Sequence, residues 1–126
     1  VNSLLLDTNV VVWLLTGNRA AVSDHAVAAL TDDAHPLLVS AASVWEIAIK
    51  RSLGKLRLAD GWQAALRGLD VTPLPITSMH AEAVEDLPWH HRDPFDRLLV
   101  AQAMVEQCPL VTADTRLAAY SIDVVW

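Results

Sequence analysis

The sequence predicts an α/β fold, a mostly parallel five-stranded sheet with helices on both faces. Two patterns point to it. Short apolar runs recur along the chain and alternate with amphipathic stretches, the signature of strands buried on both faces and joined by crossover helices. Acidic residues close those apolar runs or open the helices after them, and the carboxyl end of a parallel sheet is where such folds bind ligands.

The elements follow in order. Residues 4–6, all leucine, read as a buried strand, and residues 10–15 as a helix ending near Gly17. Ser23 is a good N-cap for a helix through about Leu30. Pro36 precedes a strand over 37–39. Ser40 then caps a helix over about 42–53, which Gly54 stops. Asp60 is expected to cap a short helix over 62–69. Residues 71–74 form a third strand, placed at an edge or cut short by Pro73 and Pro75. Residues 78–87 are helical by spacing. Asp93-Pro94 opens a helix through about Gln107, with proline at its first position. Strands over 110–111 and 122–125 complete the sheet. With no repeat, low-complexity tract or linker, residues 1–126 are expected to form a single domain with a substantial core.

Composition narrows the function. Nine basic residues stand against 15 acidic ones, a net charge of −6 and a pI of about 5.1. That disfavours a protein gripping nucleic acid by broad phosphate neutralisation, though not a nuclease, whose reactive site is acidic. Four glycines, with neither GxGxxG nor GxxxxGK[ST], argue against dinucleotide or P-loop binding. The single cysteine, Cys108, allows no intramolecular disulfide and fits a reducing compartment. The N-terminal stretch is apolar but broken by Asp7 and Asn9 and lacks a basic leader, so a cytoplasmic protein without a membrane span is expected. Hydrophobic residues make up 53% of the chain and mean hydropathy is +0.32, which suggests apolar surface reserved for a partner.

Four acids stand out: Asp7, Glu46, Asp96 and Asp114. Singly, each has a structural explanation. Asp7 can cap the helix that starts at Thr8, Asp114 a turn before Leu117. Asp96 is favoured by the helix dipole three residues past an N-cap at Asp93, and Glu46 can pair with Lys50 at i,i+4. Jointly they fit those roles less well. Glu46 lies a turn and a half inside its helix, where no cap explains it. Carboxylates gathered at one sheet edge are costly through repulsion and desolvation. A chain that accepts this cost ordinarily holds a hard divalent cation for phosphoester chemistry.

The segments LLLDTNVVVWLL, SAASVWEIAIKRSLGKL, RDPFDRLLVAQA and LVTADTRLAAY together resemble the PIN domain, most closely the VapC-type toxins of bacterial toxin–antitoxin pairs. The resemblance covers nearly the whole chain in the family's order, with no departure at the four acids. It implies a PIN-like three-layer sandwich and a Mg²⁺- or Mn²⁺-dependent endoribonuclease that hydrolyses phosphodiesters in tRNA or rRNA loops with a metal-activated water. It implies that Asp7, Glu46, Asp96 and Asp114 form the metal site, with Asp7 and Asp96 as direct ligands. Glu46 and Asp114 are left to hold a second metal or orient the water. Thr8, Asn9 and Thr112 match polar positions around such a site, and Asp93 is assigned to capping or to a supporting role. A cognate antitoxin and a homodimer are implied as partners.

RNA must be held despite the negative charge. Arg92 and Arg97 bracket a proposed ligand and are the better candidates for phosphate contacts. Lys50 and Arg51, with Lys55 and Arg57, read equally well as a solvated helix face. His90 and His91 can bind metal but read better as a polar loop entering the helix. Five tryptophans, Trp13, Trp45, Trp62, Trp89 and Trp126, are many for this length. Core packing is their default reading, and an interface the other. The rival is a catalytically silent PIN-like protein-binding module, against which the intact acids argue. A phospho-acceptor signalling domain would need an acid after the third strand, where this chain has Leu74-Pro75-Ile76.

Overall fold

The structure is a computed structural model that describes residues 3–126. Val1 and Asn2, and with them whether Val1 is the native start, lie outside the described residues. The chain runs β1 (Leu4–Leu6), α1 (Thr8–Thr16), α2 (Asp24–Thr31), β2 (Leu37–Ser40), α3 (Ala41–Ser52), α4 (Trp62–Gly68), β3 (Thr72–Leu74), α5 (Ser78–Ala83), α6 (Pro94–Glu106), β4 (Leu110–Val111) and β5 (Val124–Val125). Single 3-10 turns lie at Arg19–Ala21, Val84–Asp86 and Thr115–Ala119. The sheet order is β3-β2-β1-β4-β5. Every pairing is parallel, so the sheet is wholly rather than mostly parallel.

Alternation along β1 and β4 builds the layers. Leu5 and Leu110 face α6, packing with Leu99, Val100 and Ala103. Leu4, Leu6 and Val111 face the other way, onto Val10 and Val11 of α1, Ile47 of α3 and Trp62 and Leu66 of α4. Leu5 and Leu6 are fully buried, each contributing about 2 kcal/mol of transfer free energy. β3 lies at the sheet edge, where Pro73 removes no donor that an inner strand would need.

Most caps act as the residues dictate. The Ser23 hydroxyl accepts from the Ala26 N–H at 3.1 Å and that of Ser40 from the Ala42 N–H at 3.0 Å. α1 ends at Gly17, whose φ of +71° suits a residue without Cβ. Two expectations are corrected. Asp60 does not cap α4: Gly61 occupies that position at φ +83°, and the Asp60 carboxylate pairs with Arg51. The helix expected over 78–87 divides at Val84, after which it tightens into a 3-10 turn. At its start Thr77 and His80 form a capping box. The Thr77 hydroxyl accepts from the His80 N–H at 3.3 Å, and His80 Nδ1 from the Thr77 N–H at 3.0 Å.

Candidate active site

β1 and β4 are adjacent at the point where strand order reverses, the place where sheets of this kind bind ligands beyond the carboxyl ends of their strands. Register places the first residues after them side by side. Leu6 is opposite Val111, and the Asp7 N–H donates to the Val111 carbonyl at 3.0 Å. The Thr112 hydroxyl then donates to Asp7 Oδ2 at 2.5 Å and accepts from the Asp114 N–H at 3.0 Å. Asp7 stands at the N-cap position of α1, yet its side chain makes no capping bond among the described residues. Burial pushes its carboxyl above the ordinary range, against the Thr112 hydrogen bond, and Glu46 raises it further. The Asn9 and Thr8 backbone N–H groups at the start of α1 offset that rise only in part, and the buried carboxylate keeps Thr112 as its side-chain partner.

Glu46 reaches the same edge from α3. That helix starts where β2 ends and is tied to α1 by a hydrogen bond at 2.9 Å between the Thr8 and Ser43 hydroxyls. Glu46 is buried. Its Oε2 lies 2.6 Å from Lys50 Nζ, while its buried Oε1 has no hydrogen-bond partner among the described residues. Asp96 arrives from the first turn of α6, where the Asp93 carboxylate caps the Phe95 and Asp96 N–H groups at 2.9 and 3.0 Å. Its carboxyl is pushed up to about 7, first by burial and then by the charges of Asp7, Asp93, Glu46 and Asp114. Four acids from four segments thus bear on one carboxyl. Asp114 differs. The Arg116 guanidinium holds it down at about 2, through contacts of 3.0 and 2.9 Å. It also caps the turn that follows, accepting from the Arg116 N–H at 3.0 Å.

The polar residues around the acids divide. Thr8 and Thr112 are buried and Asn9 is exposed. Lys50 stays at the site, its ammonium held above its ordinary range chiefly by the Glu46 carboxylate. Arg92 is exposed on the loop into α6.

Two expected phosphate contacts are corrected. Arg97 is 3% exposed and donates to the carbonyls of Pro88, His91, Val84 and Leu87. The exposed ring of Trp89 covers its guanidinium at 3.8 Å. It braces the loop before α6. Arg51 is held by the Leu58 carbonyl at 3.0 Å and by Asp60.

His91, read from sequence as polar loop, is buried at the site instead. Its Nε2 lies 3.1 Å from Asp114 Oδ2 and 3.3 Å from Asp96 Oδ2, and these three residues offer ligand-type atoms within 4.8 Å of one another. Its place two residues before the cap Asp93 was the available signal.

The residues fit a divalent cation. Asp96 and Asp114 bring carboxylate oxygens, which a hard cation prefers, within 4.8 Å of one another and of a His91 nitrogen, and Asp7 and Glu46 lie near enough to Asp96 to raise its carboxyl. Among the described residues, the unpartnered Glu46 Oε1 and the raised carboxyls of Asp96 and Asp7 are places where positive charge is wanted.

Residues 4–123 match the PIN domain family model. The chain belongs to the PIN domain family. PIN domains are a nuclease family, and the structural matches of this one are to VapBC-type toxin–antitoxin complexes. One is VapBC2 from Rickettsia felis bound to a DNA fragment from their promoter, at TM-score 0.72 and 14% identity over 96% of each chain. Another is DNA-bound VapBC from Salmonella typhimurium, also at 0.72 and 14%, covering 98% of this chain and 97% of that one. A toxin–antitoxin complex from Klebsiella pneumoniae is similar at 0.67 and 22%, again over 98% and 97%. At such identities the likeness shows the fold alone. No curated protein matches the sequence. Among the described residues, no helix of this PIN domain is long and apolar enough to cross a membrane.

Proposed function

We propose that this PIN domain is a metal-dependent endoribonuclease, the toxin of a toxin–antitoxin pair, acting in the cytoplasm on single-stranded loops of structured RNA such as tRNA or rRNA. The observation that carries the reading is the gathering of acids around Asp96, whose carboxyl is pushed up to about 7 first by burial and then by the charges of Asp7, Asp93, Glu46 and Asp114. A binding module has no use for so costly a cluster. Asp7 and Asp96 hold Mg²⁺, or Mn²⁺ in its place, with Glu46 and Asp114 completing the site. When bound, the cation makes water nucleophilic near neutral pH and offsets charge on the phosphoryl oxygens.

The other residues hold these carboxylates and the RNA. Thr112 orients Asp7, Thr8 anchors α1 to α3, and Asp93 sets the start of α6, which carries Asp96. Asn9, exposed beside Asp7, is available to a substrate phosphate. Lys50 and Arg92 supply positive charge at the rim. Trp45, 56% exposed and in edge contact with Phe95 at 5.0 Å, stands in sequence beside Glu46 as Phe95 does beside Asp96. Such a surface suits a base splayed out of its stack. The exposed Trp45, Leu53, Met79 and Trp89 are consistent with apolar surface covered by a cognate antitoxin and by a second copy of the chain.

The test is cleavage of total tRNA and rRNA by antitoxin-free protein in Mg²⁺, Mn²⁺ or EDTA, with Asp96→Asn alongside. Discrete metal-dependent fragments absent with the variant are expected. Failure to cut any RNA by a protein shown to bind metal would favour the catalytically silent binding module.

A further inference from the structure

We infer that His91 is a positioning residue. Its Nε2–H donates to Asp114 and stands 3.3 Å from Asp96 Oδ2, setting the separation of the two acids without its nitrogen joining the coordination shell of the cation. The inference rests on reading the acid cluster as a metal site, and goes beyond that reading in assigning His91 a role and excluding the obvious one. A histidine within 4.8 Å of two carboxylate oxygens is on its face a third ligand. The opposite edge of the ring decides otherwise.

The Asp93 N–H donates to His91 Nδ1 at 3.0 Å. The Nδ1 lone pair is thereby engaged, and in the neutral ring the proton resides on Nε2. Nε2 is the atom that faces Asp114 Oδ2 at 3.1 Å and Asp96 Oδ2 at 3.3 Å, so its proton is donated to Asp114 with Asp96 at ion-pair distance. Ligation through Nε2 would require the proton on Nδ1, where it would point at the Asp93 N–H, donor against donor. Turning the ring over would set carbon against both the N–H and the acids. The residue cannot readily shift to escape this, because its own N–H donates to the Tyr120 hydroxyl at 3.0 Å and its carbonyl accepts from Arg97 Nη1 at 3.4 Å.

The role follows from connectivity. Asp96 lies on α6 and Asp114 on the loop after β4, two acids whose carboxylates repel one another. The Nε2–H, bonded to Asp114 and next to Asp96, is a brace between them. Arg97 and Tyr120, which bond the His91 backbone, act by holding that brace. A donor behind ligating carboxylates keeps them oriented, and losing such a partner typically weakens metal affinity about 10–100-fold.

The test uses the full chain without RNA. Nitrogen NMR of the metal-free protein is expected to show His91 with Nδ1 unprotonated and Nε2 protonated. Pulsed EPR of the Mn²⁺-loaded protein is expected to show no coupling to a directly bound imidazole nitrogen. Calorimetric titration with Mn²⁺ is expected to give a loss of about 10–100-fold for His91→Leu and recovery of most of it in His91→Gln, which keeps a side-chain N–H. A directly coupled nitrogen assigned to His91, or the Nδ1–H tautomer, would overturn the inference while leaving the metal site standing. Equal affinity of His91→Leu and wild type would also overturn it. Failure of the wild type to bind Mn²⁺ at all would remove the metal-site reading and this inference with it. Should His91→Leu not fold, the two wild-type spectra still decide.

Discussion

Replacing Asp96 with asparagine should make the metal-free protein more stable, increasingly so as pH rises. An acid whose folded pKa lies above its unfolded value keeps its proton in the native state while the unfolded chain has released it. Stability is therefore lost as pH climbs from the unfolded pKa to the folded one. For Asp96 that window runs from 3.8 to about 7. At about 1.36 kcal/mol for each tenfold change in proton affinity, the ceiling is about 4 kcal/mol. The side chain is 19% exposed, and water screens part of the repulsion, so about half of that is expected, roughly 2 kcal/mol. Asparagine forfeits the favourable interaction of a carboxylate with the first turn of α6, about 0.5 kcal/mol. The net gain at pH 8 is then about 1.5 kcal/mol, or roughly 5 °C in melting temperature, falling to nothing near pH 4. The assay is thermal unfolding of both proteins in EDTA between pH 4 and 8.5, repeated with Mn²⁺. At 100 times its Kd the cation should stabilise wild type by about 2.7 kcal/mol and the variant far less. A difference between the two proteins that does not change with pH would refute the reasoning, as would equal Mn²⁺ shifts.

Other perturbations separate positioning from contact. Thr112→Val keeps the shape but strands the Asp7 carboxylate and the Asp114 N–H, which Thr112 Oγ1 serves together. It should cost about 2 kcal/mol in urea unfolding. Arg97→Ala takes the guanidinium donor from four carbonyls, of which, among the described residues, only that of Val84 keeps another, the Leu87 N–H, and should cost about 3 kcal/mol. Its KM for RNA, per folded molecule, should not change, and a selective rise in KM would restore Arg97 as a phosphate contact. Asp114 is held at about 2 by Arg116, so it favours the native state above pH 3.8 and ceases to do so as pH falls through 2. Arg116→Gln should return the Asp114 carboxyl toward its ordinary range in a carbon-detected NMR titration, and an unmoved titration would mean that Arg116 is not the cause.

Local chemistry was legible wherever one residue acts on its immediate neighbours. The Leu4–Leu6 run, Ser23 and Ser40 as caps, Gly17 as a stop and Asp93-Pro94 as a start all act within a turn of chain, and the structure has them as expected. Asp7, Asp96 and Asp114 stood out in sequence because each abuts such an element, and Glu46 because it lies inside a helix where no cap explains it. What the sequence could not decide was which way long side chains turn. Arg97 and Arg92 look alike in RDPFDR and its flank, yet one is buried under Trp89 and the other exposed. That choice belongs to the carbonyls of residues 84–91, which only the folded loop brings around the guanidinium. Asp60 lost the cap expected of it because Arg51, nine residues away, competes for its carboxylate. His91 reads as a polar loop residue because its partners, Asp114 and Tyr120, lie 23 and 29 residues distant. The sequence by itself thus determined which elements form and where carboxylates gather. The tertiary structure alone decided which cations and imidazoles attend them, since those bonds join groups that have no local reason to meet.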